Sequence, residues 1–120
     1  MHKILVVADN ALNRALLLEA LRPEGFAILS AENGLQGVEL AQRELPDLIL
    51  MEVMLPGLSS YEAVRQLKTN PATRHIPVIA ITANAAPAER ERALDAGCDG
   101  YLAKPIDTRA LPNQVRLFLR

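Results

Sequence analysis

Four apolar runs in this chain each end on a residue able to do chemistry. Residues 3–7 lead to Asp9, residues 47–51 to Glu52, residues 78–81 to Thr82, and residues 101–103 to Lys104. In open α/β sheets the ligand crevice lies beyond the carboxyl ends of the strands, so the two carboxylates, the hydroxyl and the ammonium are expected at one edge of one sheet. Carboxylates from neighbouring strand ends are hard oxygen ligands suited to magnesium, and Asp9 and Glu52 could supply that pair. A lysine nearby would neutralise them or grip phosphoryl oxygens as a point charge, and a threonine hydroxyl could bond a third oxygen. These are the parts of a phosphoryl-transfer site.

The elements that must position these residues follow from hydrophobic periodicity. Continuous β-branched runs are the mark of parallel strands covered on both faces, and here they alternate with helix-length segments. The first helix is predicted over residues 11–22, with Leu12, Leu16, Leu17, Ala20 and Leu21 at helical spacing, stopping at Pro23-Glu24-Gly25. A second strand covers residues 26–30. A second helix over 34–44 places Leu35, Val38, Ala41 and Leu45 on one stripe. The most apolar run, 47–51, is expected to be central. Ser59 or Ser60 can cap a third helix that turns Ala63, Val64 and Leu67 inward and breaks at Asn70-Pro71. A fourth helix opens at Pro87 and closes at Gly97, with Glu89, Arg90, Glu91, Arg92 and Asp95 on a face expected to look at solvent. Pro112 would remove a hydrogen bond inside a helix capped by Asp107, so a late start near Pro112 is predicted for the last one. Five strands and five helices with right-handed crossovers give a doubly wound, flavodoxin-like α/β fold with parallel strand order 2-1-3-4-5. Its switch point lies between the strands presenting Asp9 and Glu52.

Composition narrows the function. A chain of 120 residues, half of them hydrophobic, is expected to form one domain over residues 1–120. The formal net charge of −1 argues against a broadly basic nucleic-acid-binding surface, so direct nucleic-acid contact is not expected. Cys98, the single cysteine, cannot form an internal bridge, which suits a reducing, cytoplasmic setting. The apolar stretches fall short of the roughly 20 residues that span a bilayer, and no membrane association is expected.

In whole segments the chain resembles the receiver domain of bacterial two-component response regulators. KILVVADN at residues 3–10 is similar to the family's first strand and acidic turn, and DLILMEVMLPG at residues 47–57 to its phosphoacceptor strand and loop. Ile81-Thr82-Ala83 and Gly100-Tyr101-Leu102-Ala103-Lys104-Pro105 complete the pattern. The stretch from Cys98 to Ile106 resembles stand-alone, cell-division-type regulators. The resemblance implies a receiver-type signalling module rather than an enzyme. It places Glu52 at the phosphoacceptor position with Thr82 and Lys104 beside it, and Thr82 with Tyr101 as a switch pair. It also implies a magnesium site of Asp9, Glu52 and the backbone carbonyl of Met54, and a cis bond before Pro105. Implied partners are a histidine kinase, a phosphotransfer protein or a downstream effector, met by the face of the fourth helix, fifth strand and last helix, or a second copy in a homodimer.

Two positions depart from the family, and both touch the chemistry. Ala8 stands where a second acidic residue is usual, and Glu52 where the phosphoacceptor is an aspartate. One more methylene carries the carboxylate about 1.5 Å farther out. A displacement of about 1 Å can cost on the order of a hundredfold when in-line geometry is required. The expected outcome is a pseudo-receiver: phosphorylation lost or poor, magnesium binding weakened, and a fixed charge that partly imitates phosphorylation by approaching Thr82 and Lys104. The imitation is incomplete, because a carboxylate has one charge where a phosphoryl group has roughly two and a third acceptor oxygen.

Other readings stand beside this one. A conventional regulator altered deliberately at positions 8 and 52 would have the same sequence. A flavin- or nucleotide-binding protein on the same fold is the rival class, but the turn Ala8-Asp9-Asn10-Ala11-Leu12-Asn13 lacks glycine and puts an acid where phosphate would bind. Residue by residue, Asp9 or Asn10 could simply cap the first helix, and Glu52 and Lys104 could be an exposed ion pair worth at most about 1 kcal/mol. Thr82 could cap a turn, Tyr101 could be plain core, and Cys98 reads as a small buried filler.

Overall fold

A computed structural model describes residues 2–53, 58–83 and 86–119. Five parallel strands, β1 (Lys3–Val7), β2 (Ala27–Ala31), β3 (Leu48–Val53), β4 (Val78–Thr82) and β5 (Gly100–Ala103), form one sheet in the order β2-β1-β3-β4-β5. The helices are α1 (Ala11–Leu21), α2 (Gly34–Glu44), α3 (Leu58–Thr69), α4 (Pro87–Ala96) and α5 (Leu111–Arg116). This is the doubly wound, flavodoxin-like arrangement predicted from the alternating runs. The middle strands β1, β3 and β4 are apolar except at or near their ends, because both of their faces are covered.

The period-two pleat sorts the strand residues onto two cores. Leu5, Val7, Ile49, Met51, Val53, Val78 and Ala80 pack with Val38, Tyr61, Val64, Leu67, Ala93 and Ala96, beneath α2, α3 and α4. Ile4, Val6, Leu48, Leu50, Ile79 and Ile81 pack with Leu17, Leu21, Leu111 and Val115, beneath α1 and α5. Each fully buried aliphatic side chain of this kind contributes about 1.5–3 kcal/mol of transfer free energy.

Several helix faces differ from the expected ones. In α1 the apolar residues form two rows, Leu12–Leu16 and Leu17–Leu21, about 100° apart, and the sheet takes only the second. Leu12 and Leu16 are 70% and 52% exposed. In α2 the buried set is Gly37, Val38 and Ala41, while Leu35 is exposed in the first turn. Leu45 is exposed because it ends the helix in the left-handed region, φ 47°, which swings it off the stripe before Pro46. Helix α3 begins at Leu58, so Ser60 lies inside it rather than capping it, and its hydroxyl donates to the Glu52 carbonyl at 3.4 Å. In α4 the charged face is broken by Glu89, which is buried among the small residues Ala93 and Ala96. Gly97 stops that helix at φ 109°, a conformation that strains any residue with a Cβ. Helix α5 starts at Leu111 with Pro112 in its first turn, where the missing N–H costs nothing. Before it, Asp107 Oδ1 accepts from the Arg109 and Ala110 amides.

Candidate functional site

All four sequence-selected residues lie at the carboxyl edge of the sheet, but the pleat divides them. Glu52 continues the row of Leu48 and Leu50 and pairs in register with Ile81, on the α1/α5 face. Thr82 pairs with Val53, continues the row of Val78 and Ala80, and belongs to the α3/α4 face. Tyr101 pairs with Ala80 and packs against that same core. The acid and the hydroxyl therefore leave adjacent strands on opposite sides.

Glu52 is buried, and its Oε2 lies 2.7 Å from Nζ of Lys104, whose side chain remains 29% exposed. Neither carboxylate oxygen makes a hydrogen bond of acceptable geometry among the described residues, so the ammonium's charge is the main compensation for burial. At an effective dielectric near 20, opposite charges about 4 Å apart attract by about 4 kcal/mol before desolvation is subtracted. The reading of an exposed ion pair does not hold for the carboxylate. Lys104 is aimed by the turn after β5: its amide donates to the Thr82 carbonyl at 2.8 Å, and the peptide bond to Pro105 is cis, as in the resemblance.

The Glu52–Lys104 pair forms part of the wall of a cleft of about 530 Å³ whose other lining includes Leu16, Leu17, Ile81 and Ile106. On the other side of Glu52 a smaller hollow of about 130 Å³ is bordered by Asp9, Glu32 and Ser60.

Asp9 follows β1 and is exposed. It does not cap α1, since Asn10 does so by accepting from the Asn13 amide at 3.0 Å. Ala8 is 1% exposed, and its carbonyl accepts from Arg14 Nη1 at 2.8 Å. Magnesium demands near-octahedral oxygen ligands, usually including one or two carboxylates. Here Ala8 offers a methyl group, Glu52 is committed to Lys104, and no cluster of three or more His, Cys, Asp or Glu side chains suited to a metal occurs among the described residues. The described residues thus offer magnesium one exposed carboxylate, Asp9, and one already neutralised by Lys104. The expected contribution of Met54 lies outside the described residues.

Thr82 is fully buried, and its hydroxyl shares a hydrogen bond with Tyr101. The expected approach of Glu52 to Thr82 is not made as a hydrogen bond, since the Glu52 oxygens have none among the described residues. Burial, reinforced by the charge of Glu89, holds the Tyr101 phenol above its ordinary pKa, while the Thr82 hydrogen bond and Arg90 act the other way. The charged neighbours of Glu89 predict a solvent-facing side chain, yet it is buried. Its spacing to Ala93 and Ala96, i, i+4 and i+7, is the signal that places it on the inward row.

The sequence pattern of the response regulator receiver domain matches residues 4–116. The polar-differentiation response regulator DivK of Brucella anthropi is 37% identical over 116 residues, which cover 97% of this chain and 94% of that protein. The receiver domain of a sensor histidine kinase from Pseudomonas aeruginosa, with a magnesium ion coordinated in its active site cleft, is similar at 37% identity and TM-score 0.88 over 98% of this chain and 96% of that one. The chemotaxis protein CheY4 of Vibrio cholerae, at 24% identity, shares the fold with a TM-score of 0.91 over 99% of each chain. Among the described residues no helix is long and apolar enough to cross a membrane.

Proposed function

The chain belongs to the response regulator receiver family, and from that premise we propose that it is a signalling module in which Glu52 has replaced the phosphorylation input with a fixed charge. The observation that carries this reading is the burial of the Glu52 carboxylate against Lys104 at 2.7 Å. Phosphoryl transfer needs the attacking oxygen in line with the donor's phosphorus and a metal to neutralise the transferring group. At the phosphoacceptor position of this chain the oxygen is overextended by about one bond length and held by an ammonium. Magnesium is weakly bound or not bound, since Ala8 removes one carboxylate and Lys104 already neutralises the other.

In this reading Lys104 and Thr82 are the residues that would otherwise meet a phosphoryl group, and Thr82 with Tyr101 is the switch pair. The charge imitates phosphorylation in part: it engages Lys104, while the Thr82 hydroxyl is held by Tyr101 instead. The protein acts in the cytoplasm by contact with a histidine kinase, a phosphotransfer protein or a downstream effector, on the face formed by α4, β5 and α5. A second copy of the chain is the other candidate occupant of that face. Incubation with a small phosphodonor and magnesium, followed by intact-mass measurement, tests the reading. Stoichiometric phosphate on Glu52 overturns it.

A further inference from the structure

A carboxylate is costly to bury unless it is paired, yet Glu89 is 4% exposed on a helix whose other charged residues face solvent. Its compensation comes from α3, where the Tyr61 hydroxyl donates to Oε1, and from Arg92, whose Nη1 stands 3.8 Å from Oε2. Tyr61 and Tyr101 are the only tyrosines in the chain. Tyr61 is a member of the α3/α4 core, and Tyr101 packs against that core. Burial raises both phenols first, and Glu89 raises each of them further. Tyr101 in turn hydrogen-bonds Thr82. One buried acid thus links α4 to α3 by a hydrogen bond and acts through its charge on Tyr101 of β5, which is bonded to Thr82 of β4.

We infer that Glu89 is a positioning residue for the Thr82–Tyr101 pair, holding α4 against α3 through Tyr61 so that Tyr101 stays bonded to Thr82. This assignment rests on the reading of Thr82 and Tyr101 as a switch, but it concerns a residue which that reading does not use. The groups whose charge faces Tyr101 are Glu89, which raises its phenol, and Arg90, which lowers it. A purely structural acid would set the stability of the α3–α4 contact and leave Tyr101 unchanged.

Tyrosine labelled with carbon-13 at Cζ gives two NMR signals in this protein, assigned with Tyr61→Phe and Tyr101→Phe. In Glu89→Gln, which keeps the side-chain size, the Tyr101 signal is expected to shift and its phenol to titrate at lower pH. Tyr61→Phe, which keeps the ring, is expected to move the Tyr101 signal as well, and Glu89→Asp to restore part of the parent spectrum. Leu67→Ala removes buried volume from the same core and serves as the stability control, with the Tyr101 signal expected to stay in place. An unchanged Tyr101 signal in both Glu89→Gln and Tyr61→Phe overturns the assignment, as does an equal shift in Leu67→Ala. No phosphodonor enters this measurement, so its failure is distinct from a failure at Glu52.

Discussion

Glu52 on β3 and Lys104 beyond β5 meet across an intervening strand, with 2.7 Å between Oε2 and Nζ. Ile81 on β4 stands in register between Glu52 and Leu102, and strands lie about 4.8 Å apart, so the two side chains together span roughly 10 Å. A carboxylate one methylene shorter would end about 1.5 Å earlier, leaving room for another group between it and the lysine. The extra length of the glutamate closes that space.

Phosphorylation is the first consequence to check. The protein treated with a small phosphodonor and magnesium should keep its unmodified mass. The variant carrying both Ala8→Asp and Glu52→Asp should gain one phosphate, because Asp9, Thr82 and Lys104 already lie at the same edge of the sheet.

Magnesium binding should follow the same pair of substitutions. We expect no shift in melting temperature when magnesium is added to the parent protein. A saturable rise is expected in the doubly substituted variant, because a ligand that binds only the folded state stabilises it.

Removing Lys104 should be costly. Lys104→Met leaves the buried Glu52 carboxylate without its counter-charge, a change that typically destabilises by about 3–5 kcal/mol. Urea unfolding should show most of that loss recovered when Glu52→Gln is added. Equal instability with and without Glu52→Gln would mean that the pair contributes nothing specific.

Alkaline pH should weaken the fold. Burial pushes the Cys98 thiol up from 9.0 to about 12. The unfolded chain therefore loses this proton before the folded one does. The stability contributed is fully present below about pH 9 and is lost as pH rises through the folded value, a decline that the raised phenol of Tyr61 extends. Urea midpoints measured from pH 8 to pH 10.5 should fall. The thiol should react with a maleimide only after unfolding.

The two leucine rows of α1 should separate cleanly. Leu21→Ala, at a position with no exposure, should cost about 2–5 kcal/mol. Leu12→Ala, at a position 70% exposed, should change stability by about 0.5 kcal/mol or less.

The amino-acid sequence by itself determined the order of elements, the strand order and the edge at which the chemical residues gather. Those depend on runs such as residues 48–51, whose unbroken apolar character has few alternatives, and on chain breaks such as Pro23 and Gly97. A cap of α1 from Asp9 or Asn10 and the late start of α5 were legible in the same way, from local rules that act within one turn. Tertiary structure decided which of two equally apolar rows of α1 meets the sheet, since both have helical spacing and only contact with β1 and α5 separates them. It also placed Glu89 inside, because a charge can be buried only where a partner such as Tyr61, 28 positions away, supplies a hydrogen bond. Finally it divided Glu52 from Thr82. The alternation of side chains that puts neighbours on opposite faces is local, but the register between β3 and β4 that turns alternation into distance exists only in the assembled sheet.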